Sequence, residues 1–292
     1  MSVEERLNTI LPAAEAELGN RNFVAILGLS GVGKTVLVTL LGHALDKYFL
    51  KKQSEIKGRI TGGRVFLETC ENGMLDGIFP ERTQLLAREE IVIEMNRSGG
   101  TGKAIEIRLP DISGETFNTL CLGDEISAKE RALKIFETSK PKGKTFGDMT
   151  YVIYAKIYLI LLDCSKIGEW EKLAIRHNQA LATIKELQSV RLKKEINKIE
   201  SPIGIVLTKS DTLSNPDEPA KSVVDNNMGR FLNTLDSLHK GEKEFFKLHV
   251  DVERNTDNAI TDPTALKVRR PLTYSHDEYM RLLKWIHDNS SE

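Results

Sequence analysis

Eight consecutive residues, Gly28-Leu29-Ser30-Gly31-Val32-Gly33-Lys34-Thr35, have the types and spacing needed to hold a polyphosphate. They fit G-x-x-x-x-G-K-[ST]. The apolar run Phe23 to Leu27 precedes them and a helix-like stretch, Val36 to Leu50, follows, which is the strand–loop–helix setting such a loop requires. The glycines let the main chain wrap closely around an anion with its N–H groups, those of Ser30 and Val32 among them, turned inward. The positive end of the following helix points at the same charge. Lys34 is placed to reach the β- and γ-phosphates, and Thr35 to offer its hydroxyl to magnesium.

Two further groups stand at the ends of strand-like runs. Asp111-Ile112-Ser113-Gly114 follows the alternating stretch Ala104 to Leu109. An aspartate there can hold magnesium through water, and a glycine lets a backbone N–H approach a terminal phosphate with no Cβ in the way. Thr208-Lys209-Ser210-Asp211 follows the buried-looking run Pro202 to Leu207. The Asp211 carboxylate can accept from both N1–H and the 2-amino group of guanine, whereas adenine offers no such pair of donors. Lys209 can lay its aliphatic stem along a base. Read singly, each group is also ordinary turn chemistry.

The elements that must position these groups alternate along the chain. Residues 1–20 read as an amphipathic helix with Leu7, Ile10, Leu11, Ala14 and Leu18 on one stripe. Lys51 to Gly63 is polar and dotted with glycine, and Arg64 to Glu68 is expected to be a short extra strand; residues 74–83 read as a loop. Glu90 to Met95 and Ala104 to Leu109 form an antiparallel pair around a glycine-rich connection, and a helical region runs from about Thr116 to Ser139, followed by a loop at 141–144. Ile157 to Leu162 and Pro202 to Leu207 are apolar enough to be covered on both faces. Helices are expected near Glu169–Lys194, Val224–Leu238 and after Ser275, where Ser275-x-x-Glu278 reads as a capping box, and a last strand at Glu244–Val252. The sum is one doubly wound α/β domain with insertions.

In their order, GLSGVGKT, DISG and TKSD at successive strand ends, the motifs resemble those of the P-loop GTPases of the Ras-like and translation-factor group, over about residues 21–290. The resemblance implies a mostly parallel six-stranded sheet with one antiparallel edge strand, binding GTP or GDP with Mg2+. The domain would span 21–292, behind the helix of residues 1–20, with insertions near 51–80, 115–150 and 253–270. Carried over, Lys34 resembles the phosphate-binding lysine and Thr35 the first magnesium ligand. Asp111 resembles the water-mediated magnesium carboxylate, Gly114 the γ-phosphate sensor, and Lys209 with Asp211 the guanine readers. Thr83 best fits the threonine that closes over magnesium, with Thr61 and Thr69 further from the antiparallel strand. Arg82 beside it is positioned in sequence to act as an internal arginine finger.

Three departures qualify what the resemblance implies. Thr208 stands where asparagine is usual, so some bracing of the phosphate loop is expected to be lost. Glu115 replaces the glutamine that orients the attacking water; a carboxylate cannot donate to the γ-phosphate unless protonated, and its charge repels the phosphate oxygens. No serine–alanine pair follows the last strand, which leaves the final base-contacting loop without a position. The expected function is a guanine-nucleotide switch with slow GTP hydrolysis, served by protein effectors and by activating or exchange partners. A module that holds GTP or GDP without turnover, or a P-loop ATPase or kinase, are the competing readings.

Bulk properties narrow the setting. With 41 Lys plus Arg against 42 Asp plus Glu, the net charge of −1 offers no long-range attraction to nucleic acid or anionic lipid. Cys70, Cys121 and Cys164 are widely spaced and form no C-x-x-C pair, which fits a reducing cytosol better than a disulfide framework. No apolar signal core, spanning segment or lipidation signal is legible, so a cytoplasmic protein is expected, brought to any membrane by a partner.

Overall fold

Strands whose every side chain is apolar must be covered on both faces, and that requirement builds this molecule. The computed structural model describes residues 2–49, 56–80, 90–97, 104–110, 117–118, 120–121, 127–137, 150–254 and 266–290. In chain order the elements are α1 (Val3–Leu18), β1 (Asn22–Leu27), α2 (Lys34–Phe49), β2 (Ile56–Gly62), α3 (Arg64–Leu75), β3 (Glu90–Arg97), β4 (Ile105–Pro110), α4 (Ala128–Glu137), α5 (Thr150–Tyr154), β5 (Ala155–Asp163), α6 (Trp170–Leu192), β6 (Ile203–Thr208), α7 (Ala220–Leu238), β7 (Lys243–Lys247), β8 (Val252–Arg254), β9 (Leu266–Val268) and α8 (His276–Ser290).

The main sheet, among the described residues, has seven strands in the order β2-β3-β4-β1-β5-β6-β7. Only β3 runs against its neighbours; β4, β1, β5, β6 and β7 are mutually parallel. Alternate side chains of β1 and β5 feed two separate cores. Val24, Ile26, Ile157, Leu159 and Leu161 pack with α2, α3 and α8, while Phe23, Ala25, Leu27, Tyr158, Ile160 and Leu162 pack with α1, α4, α6 and α7. The N-terminal helix α1 belongs to the second core through Leu7, Leu11, Ala14 and Leu18. Of its ion pairs, Glu4 with Lys129 at 3.0 Å is exposed and contributes little beside that burial, while Arg6 pairs with Glu137 and Glu15 with the partly covered Arg191 at 3.0 Å.

Among the described residues the main sheet has one strand more than the six expected, and the physical reason is a glycine. Residues 64–68 are not a strand but the start of α3; the strand is Ile56–Gly62, outside β3. Gly58 reads as loop punctuation in sequence, yet a Cβ there would lie 2.9 Å from Glu94 O and 3.0 Å from the Leu45 methyls. It is glycine because α2 and β3 crowd it. The antiparallel strand is therefore second from the edge. The last strand also differs: β7 stops at Lys247, and Val252–Arg254 pairs separately with Leu266–Val268. Of the helical region expected over 116–139, residues 117, 118 and 120 and the helix α4 are described and helical, and the loop expected at 141–144 lies outside the described residues.

The two sheet edges are finished differently. On β7, Arg281 donates to Phe245 O at 2.5 Å, pairs with Glu244 at 2.6 Å, and lays its guanidinium 4.4 Å above the Phe246 ring. On β2, Lys57, Arg59 and Thr61 are exposed and the register slips between Ile60 and Gly62. Among the described residues no helix is long and apolar enough to cross a membrane.

Leu40, on the helix that leaves the phosphate loop, has no exposed surface and packs into the α2–α8 core. Leu40→Ala is expected to lower stability by about 2–5 kcal/mol through lost burial and a residual cavity, read as a shift in the urea unfolding midpoint with an unchanged slope.

Candidate functional site

Parallel strands deliver their ligand groups at their carboxyl ends, and the site is assembled where β1, β5, β6 and β7 end side by side. The chain leaves β1 at Leu27 and enters α2 at Lys34. Between them Gly31 and Gly33 take φ values of 79° and 96°, which side chains resist. A Cβ on Gly31 would find nothing within 4 Å, and one on Gly33 only the Thr208 Cβ at 4.0 Å. Conformation, not crowding, calls for glycine at both, and the loop backbone there stands open to an approaching group. Gly28 is the reverse case: a Cβ would sit 2.9 Å from Val32 Cγ1 and 3.2 Å from Leu161 Cβ. Lys34 is buried, and its Nζ donates to Gly28 O at 2.8 Å and Leu29 O at 2.9 Å. The ammonium thus lies folded across the loop that precedes it, with half-buried Thr35 beside it in the first turn of α2.

The second wall comes from β6. The buried Thr208 hydroxyl donates to Val32 O at 2.8 Å, with Leu162 O at 3.3 Å. Where some bracing was expected to be lost with threonine, the hydroxyl still reaches the loop carbonyl directly. Lys209 adopts the left-handed conformation, φ 53° and ψ 40°. Its Nζ donates to Gly31 O at 3.2 Å and to Asp163 Oδ2 at 2.6 Å. Asp163, at the end of β5, is almost fully buried, and its other oxygen accepts from Ser165 N at 3.0 Å and Ser165 Oγ at 2.6 Å. Its own carbonyl accepts from Trp170 Nε1 at 2.9 Å. Asp211 follows in a 3₁₀ turn, Ser210–Thr212, and is exposed beside these contacts. Sequence reasoning missed Asp163 as part of this group; its one signal was a carboxylate closing an otherwise apolar strand.

The exit of β7 forms a third wall. Leu248 N donates to Leu207 O at 2.7 Å and Ser210 N to Leu248 O at 3.2 Å, so Leu248 is tied to the β6 side. His249 turns the other way, its N–H donating to Ser275 Oγ at 3.1 Å and its carbonyl accepting from Ser275 N at 3.3 Å; Asp251 N then donates to Thr273 O at 2.9 Å. In extended chain the backbone groups alternate in direction. Val250, between these two, lies opposite Tyr274 in an antiparallel bridge. The Ser275 hydroxyl, expected to cap α8, is the acceptor that ties this exit to the start of that helix.

Arg82, Thr83, Asp111, Gly114 and Glu115 lie outside the described residues. Thr61 and Thr69 are described: Thr61 Oγ1 is 3.4 Å from Val92 O within the β2–β3 pair, and Thr69 Oγ1 donates to Val65 O at 2.8 Å within α3. Downstream, Phe117 is buried with its ring centroid 5.3 Å from that of His177, and Thr183 Oγ1 donates to Leu120 O at 2.8 Å, so this stretch is fastened to α6. Burial pushes the His177 imidazole down to about 4, with Nδ1 hydrogen-bonded to Leu173 O at 2.9 Å. Burial likewise pushes the Cys164 thiol up to about 12 beside Asp163 and Asp211, which rules it out as a thiolate nucleophile near neutral pH. Among the described residues no group of three or more His, Cys, Asp or Glu is placed to hold a metal ion.

A glycine loop opening between strand and helix, a lysine folded over it and a neighbouring strand end braced against it make the architecture of a P-loop nucleotide-binding domain. Residues 25–134 match the family model described as Double-GTPase 1, a span that includes Lys34, Thr35 and Asp111 and ends before Thr208. Over that span the chain is similar to a GTPase family. Among solved structures it is similar to the signal recognition particle receptor SRb-GTP/SRX complex from Chaetomium thermophilum, at 16% identity over 91% of this chain and 99% of that one, with a TM-score of 0.42. No curated protein matches.

Thr208→Val keeps the volume but removes the donor to Val32 O, and about 1–3 kcal/mol of stability is expected to go with it; Thr208→Ser should retain most of it, as judged by urea denaturation of both. The His177 imidazole titrates near 6.5 when unfolded and near 4 when folded, so the unfolded chain binds the extra proton first. The stability tied to the neutral ring is complete above about pH 6.5 and is lost progressively as pH falls toward 4. In His177→Phe this part of the pH dependence of the unfolding midpoint should vanish.

Proposed function

We propose that the protein is a guanine-nucleotide-binding switch that takes GTP with magnesium and converts it slowly to GDP. The observation that carries this reading is the double tie between phosphate loop and base motif: Thr208 Oγ1 to Val32 O at 2.8 Å and Lys209 Nζ to Gly31 O at 3.2 Å. The two ties set the base motif directly against the phosphate loop, where one ligand can touch both. With the phosphates on the loop, the base falls along the Lys209 stem. The exposed Asp211 carboxylate then accepts from its N1–H and 2-amino group.

Within that reading the open backbone of Gly31 to Gly33 and the positive end of α2 hold the phosphate oxygens, and Lys34 leaves its two loop carbonyls to meet the β- and γ-phosphates. Thr35, Asp111 and Thr83 would hold the magnesium ion, which when bound neutralises charge developing between the β- and γ-phosphates. Gly114 senses the γ-phosphate, and Arg82 adds positive charge in cis. Glu115 in place of a neutral donor slows hydrolysis, so an activating partner would be needed for fast turnover. The same residue supports the second reading, a module that holds its nucleotide without turnover. Effectors would recognise the γ-phosphate-dependent arrangement of segments 74–83 and 111–150; no nucleic-acid partner is expected.

Titration calorimetry tests the assignment. Lys34→Ala should weaken GTP and GDP binding by about a hundredfold or more, through loss of charge-assisted phosphate contacts. Asp211→Asn should lower GTP affinity by at least about tenfold and raise that for XTP, whose 2-carbonyl accepts from the new amide. Equal affinity of wild type for ATP and GTP would remove the guanine reading while leaving the phosphate loop intact.

A further inference from the structure

We propose that Asp163 is a positioning residue for nucleotide binding: it fixes the Lys209 ammonium, and through it the platform on which the base lies. The inference rests on the guanine-nucleotide reading above. Lys209 has two anchors of unequal kind. Gly31 O, at 3.2 Å, is a neutral acceptor; Asp163 Oδ2, at 2.6 Å, is a charged one and by far the shorter. Hydrogen bonds between ionised partners are roughly twice as strong as neutral ones. The carboxylate therefore decides where the ammonium rests, and the loop carbonyl follows.

The burial of Asp163 makes the arrangement rigid. Its side chain is 8% exposed, against 42% for that of Lys209, so the anion is the fixed member of the pair and the cation the movable one. Ser165 N and Oγ occupy one carboxylate oxygen, at 3.0 and 2.6 Å, and point the other at Lys209. Register strengthens the point: Asp163 pairs across the sheet with Thr208, the residue before Lys209. One strand end thus aims the lysine that the next strand end carries. The Lys209 backbone is itself left-handed, an angle a non-glycine residue holds only when its surroundings require it. Asp163 supplies that requirement from the side-chain end, and the Asp211 turn begins at the following residue.

The test uses fluorescent N-methylanthraniloyl-GDP on the full chain. Asp163→Asn keeps the shape and the Ser165 contacts but turns an amide toward the ammonium, so Lys209 is released. Lys209→Met keeps the stem and removes the charge. Each should raise Kd by about tenfold or more, and the double variant should bind no more weakly than the weaker single, because both remove one interaction. The double variant should also be more stable to urea than Lys209→Met, in which the buried carboxylate has lost its cation. Ser165→Ala, which removes the 2.6 Å contact that aims the carboxylate but keeps the ion pair, should raise Kd by less than Asp163→Asn. Additive losses in the double variant, an unaffected Asp163→Asn, or a loss in Ser165→Ala equal to that in Asp163→Asn would each overturn the proposal while leaving the guanine reading standing. A wild-type chain that binds no guanine nucleotide would overturn both.

Discussion

Covering the central strands on both faces leaves this protein few places for polar chemistry. Every side chain of β6 and nearly every one of β5 is buried, so a charged or hydroxylated group within them would face hydrocarbon on either side. At the carboxyl ends polar side chains appear at the same level in both strands, at the register pair Asp163 and Thr208. Both are buried and both need partners. The partners in reach are the ammonium of Lys209, the Ser165 turn and the carbonyls of the phosphate loop. Much of the wiring of the site therefore follows from satisfying two polar side chains at the rim of an apolar sheet.

That wiring joins segments far apart in the chain. Val32 and Thr208 are separated by 176 residues, Gly31 and Lys209 by 178, and all of them sit on elements held by the two cores. The loop after β1 is thus fixed from the side by the end of β6, and the end of β6 by the end of β5. The exit of β7 completes the series through Leu248, whose carbonyl receives the amide of Ser210. Side chains carry the first two links and backbone carries the last.

How far the sequence could be read follows from that distinction. The phosphate loop was legible because its requirement falls on residue types: glycine at positive φ, a lysine and a threonine at fixed intervals. The central strands were legible because double burial shows as an unbroken apolar run. β2 was not, since Gly58 answers to the approach of Leu45 and Glu94, which sequence does not display. The bracing by Thr208 was hidden because its acceptor is a carbonyl, common to every residue. The β7 exit was hidden for the same reason: a segment that acts through its main chain leaves no side-chain signature. Asp163 was visible but unremarkable until its partner on the next strand was known.

The contrast between the two edges of the sheet bears on how the molecule behaves among its own copies. A strand paired on one side only is a template for another strand. At β7 the guanidinium of Arg281 occupies a carbonyl and sits over the edge aromatic, so an incoming strand meets a side chain already bound there. At β2, Arg59 is committed to Glu94 at 2.7 Å and the register slips between Ile60 and Gly62. A second β2 laid against it would meet hydrogen bonds out of step. Among the described residues the two sheet edges thus differ in what an incoming strand would meet: a guanidinium already bound at one, a slipped register at the other.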